Sequence, residues 1–538
     1  MAASRSRKQR RQPTPAPALL TDERFDLSPI VLLGLTAATA LLYFALSFVS
    51  DGFYQHDEVG HFVGMRQFWH DPNSALGNWA KPGYKAIYAF PALLGPTFVA
   101  FFNACVAAAS VWAATRIGQK VGVRSPLLVF VLAAFQPMWM ALAFRNYSEL
   151  PTALLLTLAV LAHVSDRRLV AALLLSYACT IRQEFFVIAG LYGLWLLGKR
   201  AWIAAVALAL FPVINHVWGW LATGDATYLL SDTLGFGSTL ADAYPRQGFW
   251  HYFATSEVVF GSFVLASVVA FGVSLTVRRP DGTRWSWHPF IVVPVVLYFA
   301  AHVAFQIQSV SLGPATGGNL RYLTVIGPLV AVLGALGFER SRYLPRWALV
   351  AGLGVLLILA MAFLSYEHNG VRLTDVRDLS VLVRILFAIS VLFTLYPLRT
   401  RTLVIAALTI AFAFLTFQPY ERTSEDAMMA TVAEWMQDNG INDEPILASH
   451  PLLHYFNGRA PGDYPQGAEP VLGTTVDTAR VGTYVIWDSH YSYRPEKRPD
   501  DVSYQMLLAD TTRFRLAREP FVTTDQRFGV FVFEKIAR

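Results

Sequence analysis

"LVAALLLSYACTIRQEFFVIAGLYGLWLLGKR", residues 169–200, decides how this chain is threaded. It reads either as one long apolar helix or as two short ones folded back at Arg182–Glu184. The charges elsewhere arbitrate. Basic clusters stand at "QKVGVR" (119–124), "DRR" (166–168), "KR" (199–200), "RRPDGTR" (278–284), "ERSR" (339–342) and "RTR" (399–401). Membrane proteins keep such loops on the cytoplasmic side. With the N-terminus also inside, all of them fall there only if 169–198 crosses twice.

Working outward from that stretch, apolar runs predict spans over 29–50, 95–117, 125–143, 149–165, 169–181, 184–198, 201–221, 255–277, 288–308, 321–338, 345–366, 379–396 and 401–417. The expected fold class is therefore an α-helical polytopic membrane protein of about thirteen transmembrane helices, with residues 29–420 as its membrane domain. Composition agrees: the 538 residues are 54% hydrophobic and only 15% charged, against about 25% charged in soluble domains. The net charge of +6 is dominated by Arg5, Arg7, Lys8, Arg10 and Arg11 in a Pro-rich tail over 1–28. That tail has too little apolar content to fold and reads as a cytoplasmic arm near anionic lipid rather than a nucleic-acid-binding segment. Cys105 and Cys179 lie inside apolar runs and give neither a disulfide framework nor a metal spacing.

Residues 421–538 read as a small extracytoplasmic α/β domain. "TSEDAMMATVAEWMQDNG" (423–440) has an N-cap, acidic first-turn residues and a closing Gly, so it predicts a helix. "EPILAS" and "TYVIWD" predict buried strands, "RFGVFVFEK" an alternating one, and "DDVSYQMLLAD" a further helix.

Polar residues collect on the external side of these spans, where charge near lipid is costly and often functional. "HDE" (56–58) follows the first span and opens the loop 51–94. The apolar spacing after it predicts an interfacial helix, with Asp57 at its start, where amide dipoles favour an ionised carboxylate. Such a group is a candidate general base. His56 and His61 stand close by, but no further well-spaced ligand accompanies them, so no metal centre is read, with a divalent cation as the lesser alternative. Lys81 in "KPGY" is either an interfacial lysine or an anion contact. Arg145 and Glu149 in "RNYSELP" are four apart and are expected to pair across a turn. Arg182 and Glu184 in the "RQE" turn must face water or protein rather than lipid. Gly317, Gly318 and Asn319 predict a tight turn before Arg321 and Tyr322, and Arg suits bidentate phosphate binding. A carboxylate and several cations on one membrane face fit reaction of a hydroxyl nucleophile with an anionic lipid-linked electrophile.

The order "HDE", "KPGY", "RNYSELP", "RQE" and "NLRY…GPL" resembles the GT-C membrane glycosyltransferases over roughly 30–420. "RNYSE" is similar to a stretch of the dolichyl-phosphate-mannose-dependent mannosyltransferases. "KPGY" and "NLRY" are similar to elements of the aminoarabinose and protein O-mannosyl transferases, with Gly83 for a proline and Leu320 for an acidic residue or His. The resemblance implies an inverting transferase that moves a mannose-like or related sugar from a polyprenyl-phosphate donor to a glycan, lipid or protein hydroxyl; the basic tail and the lack of a eukaryotic retention signal point to a plasma (inner) membrane. In it Asp57 would be the base, with Glu58 beside it. Arg321, Arg182 and Lys81 would hold the lipid phosphate. His56, His61, Tyr322, Asn319, Glu149, Arg145, Glu184 and Trp79 would line the substrate site, with Phe53 and Tyr54 as further stacking aromatics. A transporter or flippase for a lipid-linked or anionic substrate, and a non-catalytic scaffold of the same fold, are the alternatives. A transporter would place charges at mid-membrane and show internal repeats; here the charges sit at span ends and no repeat is seen.

Overall fold

The computed structural model describes residues 27–52, 56–240, 248–307, 319–352, 354, 401–417, 419–494 and 500–538. Among them, helices Pro29–Ser47, Pro96–Lys120, Trp202–Thr223 and Leu320–Ser341 are long and apolar enough to cross a membrane unaided. The helices His251–Phe260 and Ser262–Thr276, bent by 119° at Gly261, are long and apolar enough only when taken together, as a broken span or a re-entrant loop. Shorter apolar helices cover Glu149–His163, Arg168–Ala178, Phe185–Gly198, Pro289–Phe305 and Thr402–Thr416. The chain is thus a helical, multi-pass membrane protein. The deciding stretch 169–200 forms two helices, Arg168–Ala178 and Phe185–Gly198, with the charged turn between them. The expected spans over 345–366 and 379–396 lie outside the described residues, apart from a helix beginning at 346–352.

Several expected spans are broken, and each break has a cause. The run 125–143 divides into Pro126–Ala134 and Pro137–Leu142. Pro137 lacks the N–H that would continue the helix and pushes Gln136 into an extended conformation. The run 255–277 bends at Gly261, whose φ of 84° is open to glycine and strained for other residues. The segment at 321 starts as a tight 3-10 turn, Leu320–Ile326, before becoming the α-helix Gly327–Ser341.

Burial ranks the helices. Leu320–Ser341 is 94% buried and forms the axis of the bundle, whereas Trp202–Thr223 is 17% buried and presents apolar side chains outward, as lipid contact requires. Small residues let the axis pack closely. A side chain at Gly337 would meet the Ser267 carbonyl at 1.8 Å, so the helix Ser262–Thr276 touches it backbone to backbone.

The C-terminal segment forms a six-stranded sheet: β1 (Ile446–Ala448), β2 (Ala468–Glu469), β3 (Tyr484–Asp488), β4 (Phe514–Leu516), β5 (Phe521–Val522) and β6 (Gly529–Lys535). The order is β2-β1-β3-β6-β4, with β5 also on β6. β1 runs parallel to β2 and β3, and β6 is antiparallel to its neighbours. The expected helix appears as Ser424–Asp438, closed at its start by a capping box between Thr423 and Asp426. The alternation in "GVFVFEK" sorts Val530 and Val532 to one sheet face and Phe531 and Phe533 to the other.

That first face joins the rest of the molecule. Val530, Val532, Ile486, Met429 and Leu453 share one apolar cluster with Val59, Phe62 and Met65 of the helix His56–Gln67. Polar contacts pin the same seam. Arg66 reaches Asp463 at 2.8 Å, His70 reaches the other Asp463 oxygen at 2.7 Å, and the Gly462 amide donates to Gln67 at 2.7 Å. The acidic loop after the first span is therefore clamped between the membrane helices and the sheet.

Candidate active site

Five separate segments bring charge to one point. Asp57 stands in the first turn of His56–Gln67, as the sequence predicts. Its Oδ2 lies 2.9 Å from Arg321 Nη2. Arg321 enters on the 3-10 turn, which holds its guanidinium 4.2 Å from the Tyr147 ring centroid and its Nε 3.5 Å from Glu149 Oε1. Glu149 opens its own helix and accepts from Arg182 Nη1 at 3.0 Å. Arg182 in turn reaches Glu184 at 2.9 Å and lies over the Tyr322 ring at 4.7 Å. The result is a chain of alternating charge: Asp57, Arg321, Glu149, Arg182, Glu184. His302 Nε2 extends it, 3.5 Å from Glu184.

Exposure separates the members. The Asp57 side chain is 43% exposed, while Arg321 is 8% and Glu149 1% exposed. The buried ions are held by partners on both sides, as charge in a low-dielectric interior must be. Asp57 is the end of the chain that meets solvent.

Lys81 completes the group. It occupies a left-handed conformation, φ 58°, just before Pro82. Its Nζ donates to Ser148 Oγ at 2.9 Å, and among the described residues it forms no ion pair. Burial pushes its ammonium down to about 8. Glu149 and Asp57 oppose this, and Arg182 and Arg321 add to it. Lys85, one turn on, is also pushed down to about 8 by burial first and then by Lys81.

Gly83 explains the departure in "KPGY". A Cβ there would lie 2.0 Å from Thr180 Oγ1. The Gly83 amide donates to the Thr180 carbonyl at 3.2 Å, and its own carbonyl accepts from Tyr177 at 2.9 Å. The glycine thus docks the Lys81 turn against the "TIRQE" turn; a proline would lack the donating amide and would bring a ring carbon where Thr180 Oγ1 stands.

The structure redistributes other expected roles. Arg145 and Glu149 do not pair; Arg145 lies 3.7 Å from Glu58 Oε2, because the tight turn 145–148 points the two side chains apart. Glu58 is fully buried and accepts from the Asn146 amide at 2.9 Å, while Asn146 Nδ2 donates to the Glu58 carbonyl at 2.8 Å. Tyr84 OH donates to Asn146 at 2.7 Å. Glu58 and Arg145 therefore brace the "RNYSE" turn from within the core. His61 is buried, stacked on Trp79 with ring centroids 4.8 Å apart. Trp79 itself is 45% exposed and forms part of the rim. Asn319 precedes Arg321, and its carbonyl faces Tyr252 OH at 3.4 Å. His56 begins the helix; Phe53 and Tyr54 lie outside the described residues. Sequence reading missed Ser148, Tyr147 and His302. Ser148 and Tyr147 sit inside the quoted "RNYSE", while nothing near His302 marks it.

With this geometry in hand, comparison with solved structures places the fold. The chain superposes on ArnT from Cupriavidus metallidurans bound to undecaprenyl phosphate with a TM-score of 0.57 at 12% identity, covering 94% of this chain and 98% of that one. The apo form gives 0.58 at 12% identity, covering 93% and 97%. ArnT is a GT-C glycosyltransferase, and this chain has the GT-C fold over nearly its whole length. The mycobacterial arabinofuranosyltransferase AftD gives a TM-score of 0.49 at 12% identity, covering 97% of this chain and 41% of that one. No protein-family model and no curated relative matches the sequence.

Proposed function

We propose that the protein is an integral membrane glycosyltransferase that moves a mannose-like or related sugar from a polyprenyl-phosphate donor to an acceptor hydroxyl with inversion. The observation that carries this reading is the half-exposed Asp57 carboxylate at the end of a buried chain that includes Arg321 and Arg182, with Lys81 beside it. It is supported by a fold shared with a transferase solved with undecaprenyl phosphate.

In this reading the donor phosphate docks against Arg321 and Lys81, with Arg182 behind them. It competes with Asp57 for Arg321, so donor binding frees the base. The acceptor oxygen then attacks the anomeric carbon from the face opposite the phosphate. The anomeric C–O bond breaks, its electron pair leaves on the polyprenyl phosphate, and the acceptor proton passes to Asp57. The transition state is oxocarbenium-like. The fixed cations stabilise negative charge as it grows on the leaving oxygen. Glu149 keeps both arginines aimed, and Glu58 with Arg145 holds the turn that carries Glu149 and Ser148. Tyr322 and Trp79 offer faces for sugar or isoprenoid.

The topology belongs to the same proposal: thirteen spans, the basic tail 1–28 in the cytoplasm, and the Asp57 site and residues 421–538 on the extracytoplasmic side of a plasma membrane. The acceptor is a glycan, lipid or protein hydroxyl. A transporter gains no specific support, since the charges gather at helix ends on one face.

The test is release of free polyprenyl phosphate by purified protein, given a panel of polyprenyl-phosphate sugars and an envelope extract as acceptor. The wild type releases it from one donor, and Asp57→Asn abolishes release while keeping wild-type monodispersity. Equal release by both proteins refutes the assignment of the base; no release from any donor by the folded wild type refutes the donor class.

A further inference from the structure

Outside the charged chain, three side chains from three elements of the C-terminal segment converge. Glu425 lies in the first turn of Ser424–Asp438. His450 caps the helix Pro451–Phe456. His490 follows β3, in a turn whose amides at 490 and 491 donate to the buried Asp488 carboxylate. Glu425 Oε1 lies 2.9 Å from His450 Nε2 and 2.7 Å from His490 Nδ1. All three atoms fall within 4.8 Å of one another.

We infer that Glu425, His450 and His490 form a binding site for a divalent cation of the zinc class. Two imidazole nitrogens and one carboxylate oxygen are a donor set suited to Zn²⁺. The ligands are held from behind. His450 is buried and His490 is fixed by the Asp488 turn. On binding, each histidine offers the nitrogen that now contacts Glu425. For His450 this gives up a long contact, 3.2 Å, in which Nδ1 accepts from the Leu452 amide. Binding therefore moves the His450 proton from Nε2 to Nδ1, so that Nε2 can offer its lone pair.

Tyr491 packs against both histidines, with ring centroids 4.8 Å from His450 and 4.5 Å from His490. None of the three ligands belongs to the first-loop group, and none stood out in the sequence. Their spacing of 25 and 40 residues matches no short metal motif.

The experiment uses the full-length protein in detergent, stripped with chelator, titrated with Zn²⁺ by calorimetry and with Co²⁺ by visible absorption. One equivalent is expected to bind, with the intense visible bands of low-coordinate Co²⁺. Glu425→Gln and His490→Ala are each expected to weaken Zn²⁺ binding at least tenfold while the melting temperature of the metal-free protein stays close to wild type. His70→Ala, at the Asp463 contact, should bind as wild type does. Absence of stoichiometric binding to the wild type, or binding that survives both ligand variants, overturns the inference and leaves the cluster as a hydrogen-bonded His–Glu–His network. The readout is binding rather than turnover, so it stands or falls separately from the transferase reading.

Discussion

Replacing Lys81 with Met should make the protein more stable and less active at once. Native Lys81 loses its proton near pH 8, the unfolded side chain near 10.5. Between these values the unfolded chain binds more protons, so the stability contributed by this site rises with pH over that window. Below pH 8 the full cost of holding the buried ammonium is present. At about 1.4 kcal/mol for each tenfold change in proton affinity, that cost is about 3 kcal/mol. Met keeps the apolar stem and removes the charge. At pH 7, Lys81→Met should therefore melt at a higher temperature than wild type, and the gap should shrink towards pH 10. The same change removes a contact to the donor phosphate. A hydrogen bond to a charged group contributes about 1.5–3 kcal/mol, so kcat/KM for the donor should fall about 10- to 100-fold. For the wild type, kcat/KM reports groups of the free enzyme and should decline as pH rises through about 8. Lys81→Arg should flatten that decline, because guanidinium stays charged. Thermal melts across pH, paired with donor kinetics, read both halves. The reasoning is refuted if Lys81→Met is destabilised at pH 7 and leaves donor kinetics unchanged.

Three further outcomes follow from the geometry. Arg321→Ala should lower donor kcat/KM far more than Arg342→Ala, since Arg342 follows the far end of the helix Gly327–Ser341, where its Nε donates to the Glu339 carbonyl; equal losses would mean that the two ends of this helix are misassigned. Gly83→Ala should destabilise by about 1–3 kcal/mol through overpacking, as its Cβ would sit 2.0 Å from Thr180 Oγ1, and adding Thr180→Ala should recover much of the melting temperature. Glu149→Ala strands Arg182 and Arg321 without their shared carboxylate; removing one member of a buried ion network costs about 3–5 kcal/mol, which a melt or expression assay should register, whereas Glu184→Ala at the end of the chain should cost less.

Much was legible in the sequence because membrane threading is set by local quantities. Run length, charge between runs and the "RQE" turn each act within about twenty residues. They identify a polytopic helical protein and two helices rather than one over 169–198. The helix opening at Asp57 and the strands of the C-terminal segment were legible for the same reason, since caps and alternation are short-range signals. The list of charged site residues was also readable, because charge beside lipid is rare enough to notice.

What only the tertiary structure decided was partnership. Asp57 and Arg321 are 264 positions apart, and Arg182 meets Glu149 across 33; no local pattern records which cation meets which carboxylate. The nearest-neighbour rule paired Arg145 with Glu149 and failed, because the turn geometry sends Arg145 to Glu58. Likewise Glu58 reads as the twin of Asp57 in "HDE", yet one helical step turns it from solvent into the core. The Glu425, His450 and His490 cluster was invisible for the same reason. Its members lie on two helices and a strand end that only the sheet brings together. A sequence sets which side chains are available and which helices and turns carry them; the distances that turn them into chemistry are set by packing between segments far apart in the chain.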